Sequence, residues 1–432
     1  MENRLMLGVA RRDITPKVGC QLYGYRPNVF SEKVNDNLNA TAFVFQYGNV
    51  KSAVVSITLC ALGTDLADSV REKISKTCGI PYDCIMLCAT HTHSGPNTSG
   101  GVGWGDRDND YCDNILVPRL LEAVEEACGK LVYVKVGSAF GNSYVGVNRR
   151  ELTEDNEITL GQCPWGPFNP KMTVISFRDE ENKPVANIIH YGCHGTGAGV
   201  NHEISRDWPG VMTDRLETES GAVTAFINGP EGDVGPRLTN GRTTGLHDIT
   251  YAMEIGAVAG YDAVNIYKQI THFCDVPMQC VSNVLRLKLA PRVPLDVAKE
   301  QLEIFAKEIF NLGAKKRHYF ERVISSYENG YEEKEYIEFP QVAIKLGDIA
   351  IVGFGFELFS EIGMRINKMS PIGNVLSTAL TNGSTGYFPT EDQLCRGGYE
   401  IGSFLTTNLQ PYAKDADYNL ILETLKTLEK FN

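Results

Sequence analysis

Short β-rich runs alternate with helical runs along the whole chain, and that alternation confines it to the α/β class. Residues 42–47 and 53–59 are rich in Val, Phe and Ile and are split by Gly48-Asn49, which predicts a hairpin. A helix is expected over 65–76, with Thr64 as its cap and Gly79 past its end. Residues 84–89 are wholly apolar, the mark of a strand buried on both faces. The same alternation continues with a helix over 110–128, strands at 132–138, 173–177 and 185–189, a helix near 209–216 and a strand at 223–227. Beyond it come a long helix over 250–269, a strand at 282–289, helical stretches within 294–327 and strands at 338–344 and 349–352. A helix after Glu357, a strand near 375–380 and a helix from about Ala416 close the chain. No sequence repeat or linker interrupts the pattern, and the charged stretch 314–334 reads as a solvated face or a helical insertion. The expectation is one large α/β domain, residues 1–432, with mixed β-sheets flanked by helices.

Acidic side chains outnumber basic ones, 53 against 41, for a formal charge of −12. With no basic cluster to offset this, nucleic acid and anionic membrane surfaces are poor partners, because counterion release needs Lys and Arg. No apolar run reaches the length of a membrane span, so stable membrane insertion is not expected. Arg11, Arg12 and Asp13 follow the start too closely for a signal peptide's apolar region. The 12 cysteines show no CxxC spacing, and Cys60 and Cys88 sit in apolar runs, as reduced thiols do. These features predict a cytoplasmic protein, or a secreted one if a leader has been removed. A small-molecule substrate fits it, and a homo-oligomer is left open.

Of 8 histidines, four crowd into two short segments. His91 and His93 leave the end of the buried strand and enter a Gly-rich loop, the place where α/β sheets bind ligands. An extended chain would put both rings on one face. His190 closes an apolar strand and suits a core position, whereas His194 follows in a Gly-flanked turn and is the better ligand candidate. Residues 201–210 are polar and run into a helix start at Asp207, with Pro209 in its first turn. A third segment, Asn228-Gly-Pro-Glu-Gly-Asp-Val-Gly-Pro236, breaks a buried strand with glycines and two acids. Glu357 ends a strand before a helix, and residues 381–400 form a last polar block.

In this order the segments resemble the catalytic domain of the neutral/alkaline ceramidase family. The matching pieces are Gly8 to Pro16 with Gly24-Tyr25, Thr90-His-Thr-His-Ser-Gly-Pro96, Asn148-Arg149 and Cys193-His194. Asp207 to Gly210, Gly232-Asp-Val234, Glu357 and Tyr387 through Tyr399 complete the set, which spans nearly the whole chain. The resemblance implies a catalytic Zn2+ held by His91, His194, Glu357 and Tyr387. It also implies that His93, Arg149 and Tyr399 handle protons and the developing oxyanion.

Two departures bear on substrate. Gly235 stands where the family carries a serine, and a single catalytic domain without the family's C-terminal β-sandwich is expected over residues 1–432. The loop 95–110 is polar and Gly-rich, with Trp104 its one aromatic before Tyr111, and Arg237 and Arg242 could pair with a substrate carboxylate or phosphate. Trp104, Gly235 and Arg237 are therefore expected at the substrate. The expected function is a zinc-dependent hydrolase that cleaves an amide or ester bond of a small soluble molecule. Ceramide hydrolysis is the alternative, ahead of other C–O or C–N cleavage or a silent metal-containing binding protein.

Overall fold

A computed structural model describes residues 4–432 of the chain. Its frame is a β-β-α-β unit used three times. In the first unit the strands Asn39–Tyr47 and Val50–Ile57 pair antiparallel across the two-residue turn Gly48-Asn49. The helix Thr64–Cys78 then returns the chain to the strand Ile85–Ala89, which lies parallel to Val50–Ile57. The second unit repeats this with Lys171–Arg178, Pro184–Tyr191, the helix Asp207–Ser220 and the parallel strand Val223–Asn228. The third uses Tyr336–Leu346, Ile349–Gly353, the helix Ser360–Met369 and the parallel strand Asn374–Thr378. Further antiparallel strands widen each sheet, Leu5–Asp13 among them in the first, so the fold is mixed α/β as the alternation predicted.

Period-2 alternation explains why these runs are apolar on both faces. In the first sheet Ala42, Val44, Val55 and Leu87 face a layer that also holds Leu66 and Val70 of one helix and Leu120 and Val124 of the helix Val117–Gly129. Their neighbours Phe43, Phe45, Val54 and Met86 face the opposite way, into a core shared with Ile175 and Ile188 of the second sheet and Ile344 and Ile351 of the third. Each such side chain contributes about 1.5–3 kcal/mol by burial. The outer faces of the second and third sheets are likewise covered by helix pairs, Asp207–Ser220 with Thr250–Lys268 and Ser360–Met369 with Ala416–Glu429.

The three sheets are tied together where their parallel strands end. Ala89 donates its N–H to Leu380 O at 3.2 Å, and Ala379 donates to Asn228 O at 3.0 Å. The Ser56 hydroxyl donates to Phe226 O at 2.6 Å. The carboxyl ends of strands from all three units therefore converge, and the segments singled out by sequence emerge there. One element departs from the repeating frame. The helices Leu295–Phe305 and Asn311–Glu328 interrupt two long antiparallel strands, Met278–Lys288 and Tyr336–Leu346. They hold a small core of their own around Ala298, Tyr319, Phe320 and Val323. Among the described residues no helix is long and apolar enough to cross a membrane.

Candidate metal centre and cleft

His91 comes off Ile85–Ala89 with φ of +70°, a left-handed conformation that costs a non-glycine residue on the order of 1 kcal/mol or more. The backbone is held there by the His91 N–H donating to Leu59 O at 2.9 Å and the His93 N–H donating to Gly195 O at 3.2 Å. A side chain at Gly195 would place its Cβ 2.6 Å from His91 O, so only glycine lets the two histidine loops approach. The second loop is braced from Asp207, whose carboxylate accepts from the N–H groups of Gly197, Ala198 and Trp208. The Trp208 indole donates to His194 O at 2.8 Å. The helix does start at Asp207, and its first residues also fix His194.

Both imidazoles are oriented by backbone carbonyls. His91 Nδ1 lies 2.8 Å from Cys60 O, and His194 Nδ1 lies 2.8 Å from Glu231 O and 3.0 Å from Val234 O. Carbonyls only accept, so each Nδ1 carries a proton and each Nε2 is left to face the other way. The two Nε2 atoms meet Glu357 Oε2, at 3.4 Å from His91 and 3.2 Å from His194. His194 Nε2 and Glu357 Oε2 are buried without a hydrogen-bond partner. Burial, then the Arg149 charge, pushes the His194 pKa down to about 3, so its ring is neutral. Against the burial that would raise it, His91 and His194 hold Glu357 well below the usual carboxylate range. Burial opposes it, but Cys60 and Glu357 raise the His91 pKa well above the usual imidazole value, so the point where the three side chains meet draws positive charge, a proton or a metal ion. Ligands about 2.0 Å from a tetrahedral ion sit about 3.3 Å apart, which is the spacing seen.

Tyr387 lies beside this cluster. Its short strand pairs parallel with that of Glu357, and its ring stacks on His194 with centroids 6.3 Å apart. His93 Nε2 is 3.4 Å from His91 Nε2, while its Nδ1 has no partner. Cys60, His91 and His93 form a second possible ligand group that shares His91 with the first. Arg149 is buried with its guanidinium 5.4 Å from the Tyr387 ring centroid. Tyr399 packs edge-on against Tyr387 at 5.7 Å.

The cluster opens into a cleft of about 480 Å3 whose walls include His91, His93, Glu357, Tyr387, Tyr399 and Trp104. Gly235 and Arg237 are not brought to it. A Cβ on Gly235 would meet Thr243 at 2.5 Å, so this position faces a neighbouring loop, and Arg237 is exposed to solvent elsewhere. His190 is also away from the cluster, with Nε2 2.8 Å from Ser377 O inside the core. The glycine-rich loop 229–235 spends its amides internally, Gly232 on Leu358 O and Val234 on Glu231 O, so they form no anion cradle.

Three participants were not assigned from sequence. Glu400 is fully buried and binds Arg149 Nε and Arg150 Nη1 at 2.8 Å each. Cys60 lines the cleft with Sγ 3.6 Å from His91 Nδ1. Glu231 is buried with both carboxylate oxygens unpartnered, and burial raises its pKa well above the ordinary value, so it stands as the neutral acid.

No family profile matches the chain. Neutral ceramidase A of Dictyostelium discoideum is 26% identical over 270 residues, covering 56% of this chain and 37% of that protein. The neutral ceramidase of Pseudomonas aeruginosa is 25% identical over 217 residues, covering 44% of this chain and 32% of that protein. The aligned parts thus span about a third of these relatives' length. The crystal structure of the Pseudomonas aeruginosa enzyme superposes on all of this chain and 75% of its own, with a TM-score of 0.73 and 18% identity. A ceramidase complexed with C2 superposes equally fully, with a TM-score of 0.74 and 17% identity.

Proposed function

Because this chain has the neutral ceramidase fold, we propose that it is a zinc-dependent hydrolase cleaving an amide or ester bond of a small polar substrate. The observation that carries this reading is the convergence of His91 Nε2, His194 Nε2 and Glu357 Oε2 at the floor of an open cleft. Nitrogen and oxygen donors of this kind suit Zn2+, with Tyr387 as the adjacent fourth group. When bound, such an ion polarises a carbonyl and lowers the pKa of a water toward 7.

The chain's own residues do the rest. His93 is neutral, because burial and then the neighbouring His91 and His194 push its pKa well down. Its imidazole can take a proton from the attacking water and pass it to the leaving nitrogen or oxygen. Tyr399 lines the cleft, and its phenol, kept protonated by burial, can donate to the carbonyl oxygen as negative charge develops there. Arg149 adds a fixed positive charge behind Tyr387 and holds one unpartnered nitrogen, Nη2. Substituting Tyr399→Phe or Arg149→Met is expected to lower kcat by about 10²-fold with zinc content unchanged. A loss confined to KM would move both residues to substrate recognition.

Polar and apolar surface share the cleft walls about equally, with Tyr23, Trp104, Tyr319, Ala61 and Val102 among the apolar part; the polar-substrate reading rests on Lys315, Arg322, Thr385 and Asn408. The names of the relatives favour ceramide instead. A micellar assay of long-chain ceramide against short water-soluble amides and esters separates the two. We expect turnover of the short compounds and little of the lipid; efficient ceramide cleavage would overturn the polar-substrate reading. Bound zinc without turnover of any amide or ester would overturn the hydrolase itself.

A further inference from the structure

The most charged stretch of the sequence forms the helix Asn311–Glu328, and this helix walls one side of the cleft with Lys315, His318, Tyr319 and Arg322. Lys315 Nζ donates to Ser403 O, Ser403 Oγ and Thr407 Oγ1 at 3.0, 2.8 and 3.2 Å. It lies 3.9 Å from where a Cβ on Gly386 would sit, one residue before Tyr387. Among the described residues, no carboxylate lies within 4 Å of the charged nitrogens of Lys315 or Arg322. His318, which borders the cleft, and Arg317 each lie 3.7 Å from Glu321.

An inward-facing cation held by hydroxyls, without a counterion, is an unusual arrangement in a chain of net charge −12. Among the described residues Glu357 is the one carboxylate on the cleft wall, and a metal ion would neutralise it. The cleft is then a positive pocket in an acidic protein, and its low-dielectric walls focus that field on whatever enters. Burial draws the Lys315 pKa down to about 8, which leaves the amine mostly charged at pH 7. The hydroxyl of Ser403, accepting from Lys315, can turn its own proton toward an anion, while that of Thr407 is donated to Ser403 O at 2.9 Å. Arg322 also borders an adjoining hollow of about 900 Å3, where Arg286 and Lys334 stand beside Glu335 and Glu338 and Arg286 pairs with Glu338, so the uncompensated charge is that of the cleft itself.

We propose that the substrate carries an anionic oxygen group, carboxylate or phosphate, which docks on Lys315 and Arg322 beside the bond to be cleaved. This rests on the hydrolase reading for what is cleaved, and it moves the anion contact from Arg237 and Arg242 to the helix 311–328.

Calorimetric binding of glutarate, inorganic phosphate and the neutral isostere glutaramide to the zinc-loaded protein tests it without any turnover. We expect glutarate or phosphate to bind at least about tenfold more tightly than glutaramide. Lys315→Met with Arg322→Gln should erase that preference, and Lys315→Arg should keep most of it. The tighter of the two anions identifies the group. An anion preference that survives the double substitution assigns the binding to the metal alone and overturns the proposal, as does the absence of any preference. Turnover of glutaryl against pentanoyl p-nitroanilide reads the hydrolase separately: anion binding that depends on Lys315, with neither anilide cleaved, would sink the hydrolase reading and leave this site standing.

Discussion

His194→Ala is expected to leave the protein with under about a tenth of its bound zinc and to cut kcat/KM by at least about 10³-fold. The ring loses more than one donor atom. Its Nδ1 proton pins the carbonyls of Glu231 and Val234, so the loop opposite Glu357 loosens as well. His91→Ala should behave alike, since His91 meets the same carboxylate oxygen. His190→Ala is the control. It removes a buried hydrogen bond to Ser377 O, which costs on the order of 1–3 kcal/mol of stability, and should leave most of the metal in place. Elemental analysis of the three purified variants decides the matter. If His190→Ala empties the site while His194→Ala stays loaded, the ligand set drawn here is wrong.

Glu400→Ala should be the most destabilising single change near the site. The carboxylate joins two buried guanidiniums, those of Arg149 and Arg150, and nothing else charged reaches either one within salt-bridge distance among the described residues. Removing it strands two positive charges in the interior, at a cost of about 3–5 kcal/mol. The exposed pair of Arg107 with Asp65 sets the scale, since Asp65→Asn should cost under about 1 kcal/mol. Urea titrations of both variants compare the two directly. Glu400→Ala should also lower kcat, because Arg149 would no longer be held against Tyr387. A stability loss below about 1 kcal/mol for Glu400→Ala would mean that Arg149 and Arg150 find other partners.

The frame of the fold was legible because its strands are buried on two faces. Runs such as Val50–Ile57 and Ile85–Ala89 have nowhere to go but between helices and a core. The distinction between His190 and His194 was legible for the same reason: one lies within such a strand and the other follows it into a glycine turn. The strands Leu5–Asp13 and Gly146–Leu152 were not, since arginines interrupt their apolar pattern. At Arg149 and Arg150 those charges are interior, and only the distant Glu400 makes that affordable. Lys315 was hidden by similar logic. A charged helix reads as solvated until its packing against Ser403 and Thr407 is known. Gly235 was expected at the substrate because the family carries a serine there, and Arg237 because it could pair with an anion; the structure places Gly235 against Thr243 and leaves Arg237 exposed.

Three copies of one β-β-α-β unit each feed this site, and they leave the ribosome in order. His91 belongs to the first, His194 to the second, and Glu357 and Tyr387 to the third. At about 5–20 residues per second, the two histidines are exposed on the order of ten seconds before their carboxylate is made. During that interval the group complete in the growing chain is Cys60 with His91 and His93, a donor set that favours softer ions than His91, His194 and Glu357 do. Which metal the proposed site would take up is therefore open to influence by what is available during synthesis, before the completed pocket can choose.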